Sequence, residues 1–194
     1  MKKQISFIFI STTILFLSCG NPNGDTKTET AKTDSAAATQ PLAGDCSAYL
    51  KAAKKADSVL MVATTMNKAD AEKALSAFNQ FASFCNLDTL APVFLLKGGQ
   101  VARSIGNFTQ AQAMLKQCAD EYPKFKNRGA ALFLSAQLYD EATMLNDETE
   151  AKKLYEEIIK VYPKTPYAAD AKAAIANLGK TDEQLIQEFL KKNK

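Results

Sequence analysis

The sequence predicts an all-α protein, an antiparallel helix-hairpin solenoid of about three and a half repeats of 40 residues. Three observations predict it. From Asp45 onward strand signals are few and helical ones many. Set against itself at 40 residues without gaps, the chain aligns Ala71 with Ala111 and Ala151, Leu75 with Leu115 and Tyr155, and Phe78 with Cys118 and Ile158. Those positions stand at i, i+4 and i+7, one face of a helix. The corner Tyr122-Pro123-Lys124 returns as Tyr162-Pro163-Lys164. The stretch 151–176, helix then corner then helix, is the best-preserved junction of the series.

The flanks come first in the chain. Met1-Lys2-Lys3 is a positive start, and Ile5–Leu17 is an apolar run broken only by Ser and Thr. A run this short is a signal-peptide core, below the roughly 20 residues that span a bilayer. It ends in Phe16-Leu17-Ser18-Cys19-Gly20, which resembles the lipobox of bacterial lipoproteins, with Phe16 standing where Leu is usual. The resemblance implies a signal peptide over 1–18, cleavage before Cys19 and a diacylglycerol on its sulfur. The alternative is an ordinary secretory signal with an incidental Cys. Gly20, rather than Asp, follows the Cys and favours the outer membrane, with the leaflet left open. Residues 19–44 are small and polar, with Leu42 the only large apolar residue among 20–44. Such a segment cannot offset the entropy of ordering. It reads as a tether reaching roughly 25–30 Å. Asp34-Ser35-Ala36 resembles an O-glycosylation sequon, and Asp57-Ser58-Val59 and Asp88-Thr89-Leu90 match it too.

The repeat domain, 45–194, divides into eight expected helices. They are 47–66 with 69–84, 91–105 with 109–122, 127–145 with 149–161, then 167–178 and a final 182–192. First helices of each pair align as well: Val62 with Ala102 and Ala142, and Thr65 with Ile105 and Leu145. Gly106 ends one helix and Pro123 another, and Pro166 opens the seventh at a position where a missing N–H is harmless. Thr181 with Gln184 has capping-box spacing. The last helix, apolar at Leu185, Ile186, Phe189 and Leu190 and basic at its end, reads as a solvating cap.

Gly99, Ala102, Gly106, Phe108, Ala111, Leu115, Cys118 and Pro123 fall where the tetratricopeptide repeat places its small, aromatic and proline residues. The chain therefore resembles that family over roughly residues 48–178. It departs in three ways. Ala102 replaces a large aromatic, Tyr139 replaces a Gly, and the period is 40 residues rather than about 34. The excess falls between Pro123 and Ser135, which suggests a longer first helix. Longer repeats with a corner like Tyr162–Ala168 are similar to those of envelope lipoproteins, the outer-membrane assembly lipoprotein of the BamD type and the periplasmic coordinator of the Tol-Pal system. The resemblance implies a right-handed superhelix whose first helices line a concave groove. Carried over residue by residue, that groove takes Leu60, Ala63 and Thr64, then Val93, Leu96, Gln100 and Arg103, then Phe133, Ala136, Asp140 and Thr143. The mixture suits an extended or helical peptide. Packing against the neighbouring repeat is the competing reading for the apolar ones.

The chemistry that is absent narrows the function. No His occurs in the chain, which removes the commonest general base and metal ligand. Gly98-Gly99 lies in a helical pattern and lacks the Gly-Lys of a phosphate loop. Paired carboxylates such as Glu156-Glu157 read as a solvated face. No enzymatic activity, metal or cofactor is implied. Cleavage at Cys19 would remove Lys2 and Lys3 from the 24 basic residues and none of the 21 acidic ones, leaving a net charge of +1. That near-neutrality argues against a nucleic-acid partner. Cys46 and Cys85 stand at the two ends of the first hairpin, which are neighbours in space. A disulfide is geometrically reasonable there and would persist outside the cytoplasm; two free thiols at frayed ends are the alternative. Cys118 reads as a buried small hydrophobe. The sequence thus predicts an envelope lipoprotein, membrane-bound through lipid alone, whose solenoid binds another envelope protein or a peptide segment of one. A structural spacer or self-associating scaffold without a groove is the alternative. Partner identity and oligomeric state carry no sequence signal.

Overall fold

The fold is best built from its helix caps. In a computed structural model, which describes residues 45–65 and 67–192, the second helix of every pair opens on an Asx side chain. Asn67, Asn107 and Asp147 each accept a hydrogen bond from a backbone N–H in the first turn, so three orphan donors are satisfied one period apart. The stretches expected to form a signal peptide and a tether, with Cys19 and Ser35, lie outside the described residues.

Eight helices follow in order: α1 Cys46–Val62, α2 Lys68–Phe84, α3 Ala91–Ser104, α4 Phe108–Glu121, α5 Arg128–Asp140, α6 Glu148–Val161, α7 Pro166–Asn177 and α8 Asp182–Lys192. From α1 to α7 each helix packs chiefly against its neighbours in the chain, the arrangement of a helical-hairpin solenoid. The described residues contain no strand.

The 40-residue alignment marks the core. Ala71, Ala111, Ala151, Leu75, Leu115, Tyr155, Phe78, Cys118 and Ile158 are all buried. Ala53, Ala102 and Ala136 are fully buried on the first helices of the three hairpins, so every pair carries small residues on both partners. The α3–α4 hairpin is the tightest. Its loop is 105–107, closed by a Schellman motif in which Gly106, at φ 77°, donates to Arg103 O at 3.1 Å and Asn107 donates to Ala102 O at 2.8 Å.

Two first helices are shorter than the sequence suggests. The first ends at Val62 rather than 66, because Ala63 turns extended at φ −70° and ψ 126°. The fifth ends at Asp140 rather than 145, where Glu141 is extended at φ −76° and ψ 119°. The extra residues of the long repeat therefore sit in the loops, 141–147 above all, and do not lengthen a helix. Leu145 kept helical spacing for another reason. Its N–H donates to Leu138 O at 2.9 Å and Asp147 N–H donates to Tyr139 O at 2.7 Å, so the loop folds back and lays Leu145 on the core. Val62 and Ala142, aligned with buried Ala102, are exposed.

The corners between hairpins are each tied differently. At the first, a disulfide joins Cys46 to Cys85 with Cα atoms 5.7 Å apart. Tyr49 stacks on Phe84 beside it at 4.7 Å between centroids. Closing that loop contributes about 3–4 kcal/mol in the chain-entropy account. At the second corner the Tyr122 hydroxyl donates to Asn86 O at 2.9 Å. At the third, Arg128 donates to Ala119 O at 2.7 Å, to Glu157 Oε1 at 2.7 Å and to the Tyr162 hydroxyl at 3.4 Å.

The last helix is not the solvating cap its position suggests. Ile186, Phe189 and Leu190 are 57%, 67% and 51% exposed, so α8 presents its apolar stripe outward.

Gly98 and Gly99 separate two kinds of crowding. A Cβ at Gly99 would stand 2.5 Å from Leu115 Cγ, a fully buried branch point. One at Gly98 would meet Met114 Cε, the end of a flexible chain. Overpacking costs about 1–3 kcal/mol and the helical gain from Gly to Ala is about 0.5–1 kcal/mol. Gly99→Ala is therefore expected to lower the melting temperature by roughly 3–6 °C, with Gly98→Ala close to neutral, as read by thermal unfolding.

Candidate functional site

α3 supplies the centre of the candidate groove. Val93, Leu96, Gln100 and Arg103 recur at helical spacing and form one stripe. Val93, Leu96 and Arg103 are half-buried and Gln100 is exposed. Leu60 of α1 and Phe133 of α5 are half-buried and pack against the core, as does Leu96. Ala136 is fully buried and lines no surface.

Thr64 and Thr143 do not lie on first helices. Both fall in the loops that follow α1 and α5, as Ala63 does, because those helices stop early. Phe133 faces inward: its ring lies 5.8 Å from those of Tyr155 and Tyr167.

Polar bridges cross this face from helix to helix. Lys97 Nζ on α3 lies 2.5 Å from Asp57 Oδ2 on α1. Arg103 on α3 donates to Gln137 Oε1 on α5 at 3.1 Å. Within the third hairpin, the Tyr155 hydroxyl donates to Asp140 Oδ2 at 3.0 Å. Burial first, and then the Asp140 carboxylate, push the Tyr155 phenol above its ordinary value, so it stays protonated and donating. Arg103 and Asp140 are thus engaged within the chain, and Gln100, between the two bridges, is the polar side chain left facing outward. Asp57, Lys97 and Gln137 were missed from the sequence. A signal existed for two of them: Asp57 and Lys97 are opposite charges one period apart.

A cavity of about 430 Å³ lies away from this face, between the corners that follow α2 and α4. It is lined by Thr89, Pro92, Tyr122, Pro123 and Phe125, with Glu121, Lys124 and Lys126 beside them. Among the described residues no cluster of three or more Cys, Asp or Glu is placed to hold a metal ion. No described helix is long and apolar enough to cross a membrane.

Cys118 is a free thiol under the second hairpin, its sulfur 3.4 Å from Pro92 O. Burial pushes it up to about 12 from an ordinary 9.0. A shift of that size reduces the thiolate fraction about a thousandfold at pH 8. In a Cys19→Ser background, Cys118 should resist alkylation by iodoacetamide at pH 8 in the folded protein and react once urea unfolds it; rapid labelling of the native chain would contradict its burial.

Comparison with known proteins agrees with the hairpin geometry. None of the curated proteins compared with the chain matches it. The tetratricopeptide repeat model matches residues 94–124 and 130–165, which are α3–α4 and α5–α6 with their corners. The second and third hairpins are therefore similar to tetratricopeptide repeats.

Proposed function

We propose that this chain is an exported lipoprotein, processed after residue 18 and anchored through Cys19 and a tether over 19–44, whose solenoid binds another protein of the cell envelope. Tetratricopeptide repeats are a protein-interaction architecture, and the corner and the long period resemble those of envelope lipoproteins. The observation that carries the binding reading is the α3 stripe. Val93 and Leu96 offer half-buried apolar surface and Gln100 an exposed amide, while the Asp57–Lys97 and Arg103–Gln137 bridges brace both sides. Such a face suits a peptide in extended or helical form, with apolar contacts giving affinity and the amide giving register. The outer membrane is the proposed destination, and the proposed role is that of a scaffold rather than an enzyme.

One observation favours a second reading. Arg103 and Asp140, the charged groups of the groove, are already paired within the fold. A spacer that holds its ends apart needs no more than that.

Two measurements test these readings. Crosslinking in intact cells, followed by affinity purification and mass spectrometry, is expected to recover a partner with the wild-type chain. Paired substitutions Val93→Glu, at a half-buried position, and Gln100→Glu, at an exposed one, should reduce its recovery at least tenfold while leaving helical content unchanged. An unchanged partner set would discard the groove and leave the spacer. For the anchor, Cys19→Ser should move the chain from the membrane fraction to the soluble one; continued sedimentation with membranes would rule out lipidation there.

A further inference from the structure

We propose that the corner edge of the solenoid, with Leu87 at its tip and Lys124, Lys126 and Lys164 along it, docks on an anionic lipid surface. Antiparallel hairpins bring the ends of α2, α4 and α6, and the starts of the helices that follow, to one edge. The Cys46–Cys85 bond, the Tyr122 hydroxyl on Asn86 O and Arg128 on the Tyr162 hydroxyl hold neighbouring corners together there. The apolar part stands outermost. Leu87 is 96% exposed, on a corner fixed by the disulfide on one side and by the Asp88 cap on the other. Between this corner and the next, the cavity walled by Pro92, Tyr122, Pro123 and Phe125 adds apolar ground. A lone exposed leucine means little. Its charged surroundings give it a partner.

The corner loops 85–90, 122–127 and 162–165 carry Lys124, Lys126 and Lys164 against one acidic residue, Asp88. Among the described residues none of the three lysines is held in an ion pair. The acids of this edge are engaged by the fold. Asp88 accepts from the Leu90 N–H at 2.8 Å, Asp45 from the Ser47 N–H at 2.9 Å, Glu121 from Gln117 at 3.1 Å and Glu157 from Arg128 at 2.7 Å. The loops within hairpins, at the opposite edge, have no such surplus. Loops 63–67 and 105–107 carry no charge, and 141–147 carries Glu141 and Asp147. An anionic surface attracts free lysines within a Debye length, and an apolar tip adds insertion. Where the chain enters decides between a bilayer and an acidic protein. Residues 19–44 join the domain at Asp45, next to Cys46 and so to the Leu87 corner. An anchor at Cys19 therefore draws this edge toward the lipid, a step that rests on the lipoprotein reading. Three lysines and a leucine hold a tethered domain down but release an untethered one at physiological salt.

The chain contains no Trp, so one introduced at Leu87 reports on that corner alone. On phosphatidylglycerol vesicles at low salt, the full-length chain with Leu87→Trp should shift its emission to the blue and be quenched by brominated acyl chains. Ala142→Trp, exposed on the opposite edge, should do neither. Lys124→Glu with Lys126→Glu should weaken the Leu87→Trp response at least tenfold, as should replacing the vesicles with phosphatidylcholine. The same series in a Cys19→Ser background separates this proposal from the anchor. Quenching at Leu87 that persists there at low salt supports the docking edge whatever becomes of lipidation. A chain that sediments with vesicles while Leu87→Trp stays unquenched is anchored without docking, and overturns the proposal. Equal quenching at both positions would overturn it too. So would a blue shift with polyglutamate and none with vesicles, which would assign the edge to an acidic protein.

Discussion

Two antiparallel helices can approach only as closely as their facing side chains permit, and here that limit is set by alanine and glycine. Ala71, Ala111 and Ala151 on the second helices, with Ala53, Ala102 and Ala136 on the first, are fully buried. At Gly99 even a methyl group would collide with Leu115. Close approach brings backbone against backbone, where dispersion acts over the most atoms. One turn further along the same face stand Leu75, Leu115 and Tyr155, and about a turn beyond them Phe78, Cys118 and Ile158, all buried. Each hairpin thus finishes with an apolar flank that only the next hairpin covers. Stacking is a consequence of that incompleteness.

The corners decide the direction in which the stack grows. Three chemistries serve one purpose: a disulfide with a stacked ring pair, a tyrosine hydroxyl on a loop carbonyl, and an arginine fork. Arg128 reaches furthest. Its side chain is only 14% exposed and it holds a carbonyl of α4, a carboxylate of α6 and the tyrosine of the next corner. A guanidinium suits this because its five donors lie in a rigid plane and each new bond immobilises little more of the chain. Losing it would leave both a carbonyl and a carboxylate short of a donor.

The repeat and the core were legible because a fixed period repeats the same burial, so three copies of one position vote together. The Asx caps at 67, 107 and 147 obey the same period, though the expected helices opened two residues later, at 69, 109 and 149. The ends of α1 and α5 were not legible. Helical spacing of Leu145 reports that it packs on the core, and such packing comes equally from a loop folded back onto it. The groove was legible in part. Spacing along α3 sets Val93, Leu96, Gln100 and Arg103 on one face of the helix, but whether Arg103 and Asp140 point to a ligand or to Gln137 and Tyr155 depends on partners from other helices. No pattern along one helix encodes that. The Cys46–Cys85 pairing rested on hairpin topology, which brings the start of α1 to the end of α2.

That same bond changes how the molecule carries load. Cys46 is the first residue of α1 and Cys85 caps the last turn of α2, so a covalent path joins the entrance of the domain to the corner where α3 begins. Tension drawn along the chain from its N-terminal side reaches that corner through sulfur. The 38 residues between the two cysteines are bypassed. The first hairpin therefore cannot be peeled from its N-terminal end one turn at a time, as an unbridged helix would be. Force arrives instead at the stack as a whole, where resisting it requires shearing α2 from α3 across Phe78, Phe81 and Phe94, whose rings meet at 5.0 and 5.3 Å between centroids.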